Sequence, residues 1–163
     1  MMKRRNQRGF TLIELVLSLG ILGILATLAA PMFGNNEALE IDVAKRLLIS
    51  DLEYSQILAI TYPRETVALV IDESGKGWHI ATSSNPTVPL NDSITGEPLI
   101  TFLGEGSATS ASNITIESNA SNSMIAFDQN GGLVDFTQVI EITLQIGEVT
   151  SVIQISPTTG SIQ

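Results

Sequence analysis

Lys3-Arg4-Arg5-Asn6-Gln7-Arg8-Gly9-Phe10-Thr11-Leu12-Ile13-Glu14 opens into an apolar run that lasts to Phe33, and the reading of this stretch decides the rest. Between Phe10 and Phe33 the one charged side chain is Glu14. As a helix these positions reach about 36 Å, enough to cross a hydrocarbon core of about 30 Å. Lys3, Arg4, Arg5 and Arg8 lie in front of the run, so the positive-inside rule predicts a cytoplasmic N-terminus and a body on the outer side of the membrane. A conventional signal peptide has a shorter apolar stretch with its small-residue cleavage site behind it. Here Gly9 stands before the run, so a cut at Gly9 leaves the anchor on the product.

Glu14 is out of place in such a segment. A carboxylate deep in a bilayer costs about 2.5–3.5 kcal/mol on insertion scales and needs a partner or a role. No side chain of the run supplies positive charge, but a cut after Gly9 creates one, the new amine of Phe10, four residues back. That amine can meet Glu14 within one chain, or with less strain between neighbouring chains of a helical bundle. The plain alternative is a Glu14 that snorkels to the headgroups.

Arg8-Gly9-Phe10-Thr11-Leu12-Ile13-Glu14 resembles the class III leader and cleavage motif of type IV pilins and type II secretion pseudopilins. The resemblance implies that a prepilin peptidase cuts between Gly9 and Phe10 and N-methylates Phe10, and that Glu14 is the acid required for assembly. Pro31 matches the proline that interrupts the anchor helix in this family. Its missing N–H and its clash with the preceding turn independently predict a kink or local melting there.

The whole chain has 163 residues and a formal net charge of −9, a figure that hides an asymmetry. Without residues 1–9 the chain would carry 4 basic and 17 acidic side chains, a net of −13. Such a body is ill suited to phosphate backbones, whose grip depends on Lys and Arg displacing counterions. It suits a soluble, self-repelling surface outside a membrane. The absence of cysteine excludes disulfides and thiolate chemistry.

Beyond a weak break at Gly34-Asn35-Asn36, the residues Ile41, Ala44, Leu48, Leu52, Ser55 and Ala59 recur at helical spacing, with Leu47 and Leu58 widening the stripe. This predicts an amphipathic helix over Glu37–Tyr62, stopped by Pro63. Strands are expected at Val67–Ile71, apolar on both faces, and at Gly77–Ala81, Leu99–Leu103, Ile114–Glu117, Met124–Phe127 and Leu133–Phe136. Residues 83–96 and 104–112, rich in Ser, Thr, Asn, Pro and Gly, read as surface loops. Alternation over Ile140–Ile146, then Gly147-Glu148, predicts a type II′ hairpin. Its register sets Ile146 opposite Val149, Ile142 opposite Ile153 and Ile140 opposite Ile155.

Asp51-Leu52, Pro63-Arg64-Glu65-Thr66-Val67, Gly77-Trp78, Phe127-Asp128 with Gly131, and the ending Ile155-Ser156-Pro157-Thr158-Thr159-Gly160-Ser161-Ile162 resemble the GspH/FimT group of minor pseudopilins and FimT-like minor pilins. The resemblance implies an α+β, pilin-like fold in which a long N-terminal helix, half transmembrane and half amphipathic, packs on antiparallel β-sheets. The expected divisions are a cleaved leader at 1–9, the transmembrane and assembly half of the helix at 10–33, its amphipathic half at 34–62, and a periplasmic β-rich domain at 63–163. The partners implied are other pilins or pseudopilins, the prepilin peptidase, the inner-membrane assembly platform and membrane lipid. The implied place is an inner membrane and the tip of a short periplasmic fibre.

No catalytic constellation emerges, and neither an enzymatic role nor a cofactor is expected. His79 is the sole histidine, which rules out a His-based metal cluster, and it reads as a strand residue. Asp128-Gln129-Asn130-Gly131-Gly132 has part of a calcium loop but lacks its later acid, so it reads as a turn. Nucleic acid is not an expected partner, because beyond Phe33 the basic residues are Lys45, Arg46, Arg64 and Lys76 and none follows. The acidic body and the neutral tail favour type II secretion over a DNA-uptake pilus.

Overall fold

The computed structural model describes residues 11–29, 37–134 and 137–163. Gly9, Phe10 and Pro31 lie outside them, so the expected cleavage site and kink do too. The chain divides into two compact units, Met1–Asn36 and Glu37–Gln163.

In the first unit a helix, α1, spans Leu12–Ala29. Its apolar side chains point outward on every side: Leu12, Ile13, Leu15, Val16, Leu17, Leu19, Ile21, Leu22, Ile24 and Leu25 are all exposed. A helix that is apolar all round finds no stable place in water and needs lipid or other helices about it. No helix among the described residues is long and apolar enough to cross a membrane. The described α1 has 18 residues, about 27 Å, and the expected span includes positions on either side of it.

The second unit is built on α2, Glu37–Thr61. Its buried residues are Ile41, Ala44, Leu48, Leu52, Ser55 and Ala59, the same six that the spacing singled out. Ser55 is tolerated in this stripe because its Oγ donates 2.8 Å to the Leu52 carbonyl, so no polar atom is stranded. The helix ends one residue before the expected Tyr62, ahead of Pro63.

Among the described residues eight strands form two antiparallel sheets: β1 Val67–Ile71, β2 Gly77–Thr82, β3 Asn85–Pro89, β4 Ile100–Phe102, β5 Thr115–Ser118, β6 Met124–Phe127, β7 Ile140–Ile146 and β8 Val149–Ile155. The larger sheet runs β3-β2-β1-β6, and β4 shares with β3 the outer edge of β2. The smaller runs β5-β7-β8. Helix α2 packs on β1 and β6 of one sheet and β7 and β8 of the other, and a single apolar core joins all three layers. The sheets also touch directly, where the Ile116 N–H donates 2.9 Å to the Gly75 carbonyl in the β1–β2 turn.

The hairpin register is the expected one, with Ile140, Ile142 and Ile146 opposite Ile155, Ile153 and Val149. Gly147 takes φ +55° while Glu148 stays out of the left-handed region, as a type II′ turn requires. Three expectations need correction. Residues 83–96 are not all loop: β3 lies within them, an exposed edge strand whose two prolines gave it the composition of a turn. Residues 104–112 hold a 3-10 segment, Gly106–Ala111, that buries Ala108 and Ala111 against α2. The strand expected at Leu133–Phe136 is reduced to a bridge between Leu133 and Phe127, and residues 135–136 lie outside the described set.

Candidate functional site

Of the Phe10–Glu14 region the described residues are 11–14, and Thr11 and Glu14 hold each other. The Thr11 N–H donates 2.9 Å to Glu14 Oε2, and the Thr11 hydroxyl donates 2.8 Å to the same oxygen. The Glu14 N–H in turn donates 3.3 Å to Thr11 Oγ1. This is a capping box, in which a Thr before the first turn and a Glu three residues on satisfy each other's backbone donors. Thr-x-x-Glu is legible in the sequence, and it is a use of Glu14 that a search for a cationic partner misses. Glu14 Oε1 takes no bond among the described residues. The site therefore places a carboxylate, engaged through Oε2, at the foot of an apolar helix.

The segments that carry the GspH/FimT resemblance meet in space within the second unit. Asp51 of α2 receives the Trp78 indole N–H at 2.7 Å and the Thr101 hydroxyl at 3.0 Å, both on Oδ2, tying the helix to β2 and β4. Gln56, one turn of α2 after Leu52, donates its amide to the Gly131 carbonyl at 2.5 Å and the Gly160 carbonyl at 3.3 Å. Gly160 has φ +62°, and a Cβ there would collide with the Gly131 carbonyl oxygen. Gln56 was not singled out from sequence, because both its partners are backbone atoms that leave no side-chain pattern.

Asp128 spends its Oδ1 on the turn itself, accepting from Asn130 N–H at 2.8 Å and Gly132 N–H at 2.9 Å. That geometry is an Asx turn. Among the described residues no three acidic or His side chains gather as a metal site would require. His79 is a half-buried residue of β2.

A cleft of about 560 Å³ opens beside the last turns of α2, lined by Tyr54, Leu58, Tyr62, Arg64, Leu90 and Leu99 among others. The neighbouring loop is fixed by Asp92, whose Oδ1 accepts from the N–H groups of Ile94 and Thr95, each at 2.8 Å. Those amides, Thr95 first, hold the Asp92 carboxyl below its ordinary range. Burial pushes the Tyr54 phenol up, and the nearby Asp92 carboxylate adds to it.

Three comparisons bear on these features. A family model described as the prokaryotic N-terminal methylation motif matches residues 4–30. Type II secretion system core protein G of Dickeya chrysanthemi is 32% identical over 88 residues, covering 53% of this chain and 55% of that protein. The chain thus spans about half the length of the curated relative it matches. The crystal structure of the Pseudomonas aeruginosa type IV minor pilin FimU superposes on 78% of this chain and 89% of its own, with a TM-score of 0.53 at 20% identity. That likeness is one of fold, and it is the α+β fold of helix on antiparallel sheets expected from the sequence.

Proposed function

We propose that this chain, pilin-like in its methylation motif and its fold, is a structural minor pseudopilin of a type II secretion system, working at or near the tip of a periplasmic pseudopilus. The observation that carries the reading is α1: an all-round apolar helix headed by a glutamate that closes a capping box with Thr11. Residues 10–33 hold the subunit in the inner membrane. A peptidase cut between Gly9 and Phe10 places a methylated amine next to the Thr11 N–H that already bonds Glu14. Glu14 Oε1 then accepts a neighbour's amine, and assembly exchanges lipid contacts for helix contacts.

Type II secretion is supported by the likeness to core protein G and by the acidic body. The second reading, a FimT-like minor type IV pilin, is supported by the likeness to FimU. Replacing Glu14 with Leu tests the shared part: the protein should remain stable in membranes yet be missing from fibres, and normal incorporation would overturn the proposal. Mass spectrometry of the native protein should find Phe10 first, with one added methyl. Deleting the gene and scoring secretion, twitching and transformation together separates the two systems.

A further inference from the structure

We propose that His79 is a proton-operated latch for the edge strand β3, coupling the charge on one imidazole to the order of residues 85–89. β3 is weakly held. Two of its five residues, Pro86 and Pro89, have no N–H to donate. Its ladder to β2 consists of Ala81 opposite Pro89 and Thr82 opposite Asn85, with the register shifting between them. A contact outside the ladder therefore weighs heavily, and His79 provides one: Nε2 lies 2.7 Å from the Pro86 carbonyl oxygen.

A carbonyl can only accept, so the proton of the neutral ring sits on Nε2. Nδ1 is then a bare acceptor, and it faces another acceptor, Asp72 Oδ1, at 3.8 Å. Protonation turns this opposed pair into an attractive one. It places a second N–H toward Asp72 and strengthens the existing donor toward Pro86, since a charged donor makes the stronger hydrogen bond. The ring is 13% exposed and the carboxylate 32%, so water screens the pair only in part.

Asp72 is seated for this role by the β1–β2 turn, where its N–H donates 3.0 Å to the Gly77 carbonyl and its own carbonyl accepts from Gly75 at 2.8 Å. A Cβ at Gly77 would stand 3.0 Å from Asp72 Oδ2, so the bare glycine leaves the room that the carboxylate occupies. The other residues set against His79 carry no charge: Val70 on β1, Ile100 on β4 and Pro86 on β3. Asp72 is, among the described residues, the one charged group within ion-pair distance of the ring. The sign follows: a proton on the ring tightens the hold on β3, and its removal loosens that hold. When loosened, β3 uncovers the Ala81–Thr82 end of the β2 edge, beyond the part that β4 covers, to strand addition by another chain.

Amide hydrogen exchange of residues 84–90, measured on the full chain in detergent micelles at about pH 8 and about pH 5.5, tests the latch above the carboxylate range. After correction for intrinsic exchange, protection should rise about two- to fivefold toward the acid side, the scale of a partly exposed ion pair. His79→Gln, which keeps an amide donor for Pro86, and Asp72→Asn should each flatten that rise while leaving the β7–β8 hairpin protected. A flat wild-type profile, or an Asp72→Asn profile as steep as wild type, overturns the proposal. Ring nitrogen chemical shifts of the wild type give a check free of substitutions: the neutral ring must carry its proton on Nε2, and a proton on Nδ1 overturns it as well.

Discussion

Gln56 and Gly160 show how single residues close this fold. One amide holds two backbone carbonyls from segments far apart in sequence, Gly131 and Gly160. Replacing Gln56 with Ala leaves both without that donor, and stripping a partner from a half-buried polar group costs about 1–3 kcal/mol. Gly160→Ala should cost at least as much, because it adds a left-handed φ to a steric collision with Gly131. Denaturant unfolding of the full chain in micelles should order the two in that way. At this scale the sequence is legible where both partners are side chains at a fixed spacing. Thr11-x-x-Glu14 is such a case, and its box was there to be read. The pairing of Asp51 with Trp78 and Thr101 is not, since residues 27 and 50 positions apart meet only when helix and sheet have packed.

The elements fall into two groups by how their apolar residues are spaced. α2 and the β7–β8 hairpin bury one face each, so periods of 3.6 and 2 fix both the element and its inward side. Leu48 and Leu52 are fully buried, and Leu48→Ala should cost about 2–5 kcal/mol. Ile57→Ala on the exposed face should stay within about 0.5 kcal/mol in denaturant unfolding of the same preparation. β3 and the 3-10 segment obey neither period. β3 has two prolines and an exposed face, and the segment buries only Ala108 and Ala111 among small polar residues, so both carry the composition of loops. Which strands pair in which sheet was equally hidden, because strand order depends on non-local pairing. The loop after β3 makes its own prediction. Asp92 is held below the ordinary carboxylate value by the Thr95 and Ile94 amides. Its contribution is thus present above about pH 3.9, the unfolded value, and is lost as pH falls through the lower folded value. Limited proteolysis should cut within residues 92–97 faster at pH 3 than at pH 6, and Asp92→Ala should show the fast rate at both.

For the molecule as a whole, charge governs what the second unit can meet. Beyond Phe33 it holds four basic side chains, and three of them make contacts within the second unit. Arg46 pairs with Asp42 at 2.9 Å, Lys45 Nζ donates 3.0 Å to the Val152 carbonyl, and Lys76 Nζ donates 2.8 Å to the Ile114 carbonyl. Lys45 caps the open edge of β8 and Lys76 reaches the segment entering β5, so drawing either toward a phosphate would release a contact of the fold. Counterion release needs several such cations acting together, each adding about 0.9 to the slope of log affinity against log salt on duplex DNA. A site with at most one uncommitted arginine should show a slope near one. A gel shift of the chain cut after Gly9, in micelles, run at about 50 and about 200 mM salt, should accordingly give weak retention that changes little between the two. Tight retention that collapses across this interval would mean that the bonded lysines do leave their carbonyls. The DNA-uptake reading would then displace the secretion one, although the membrane anchor and the Glu14 box would serve either.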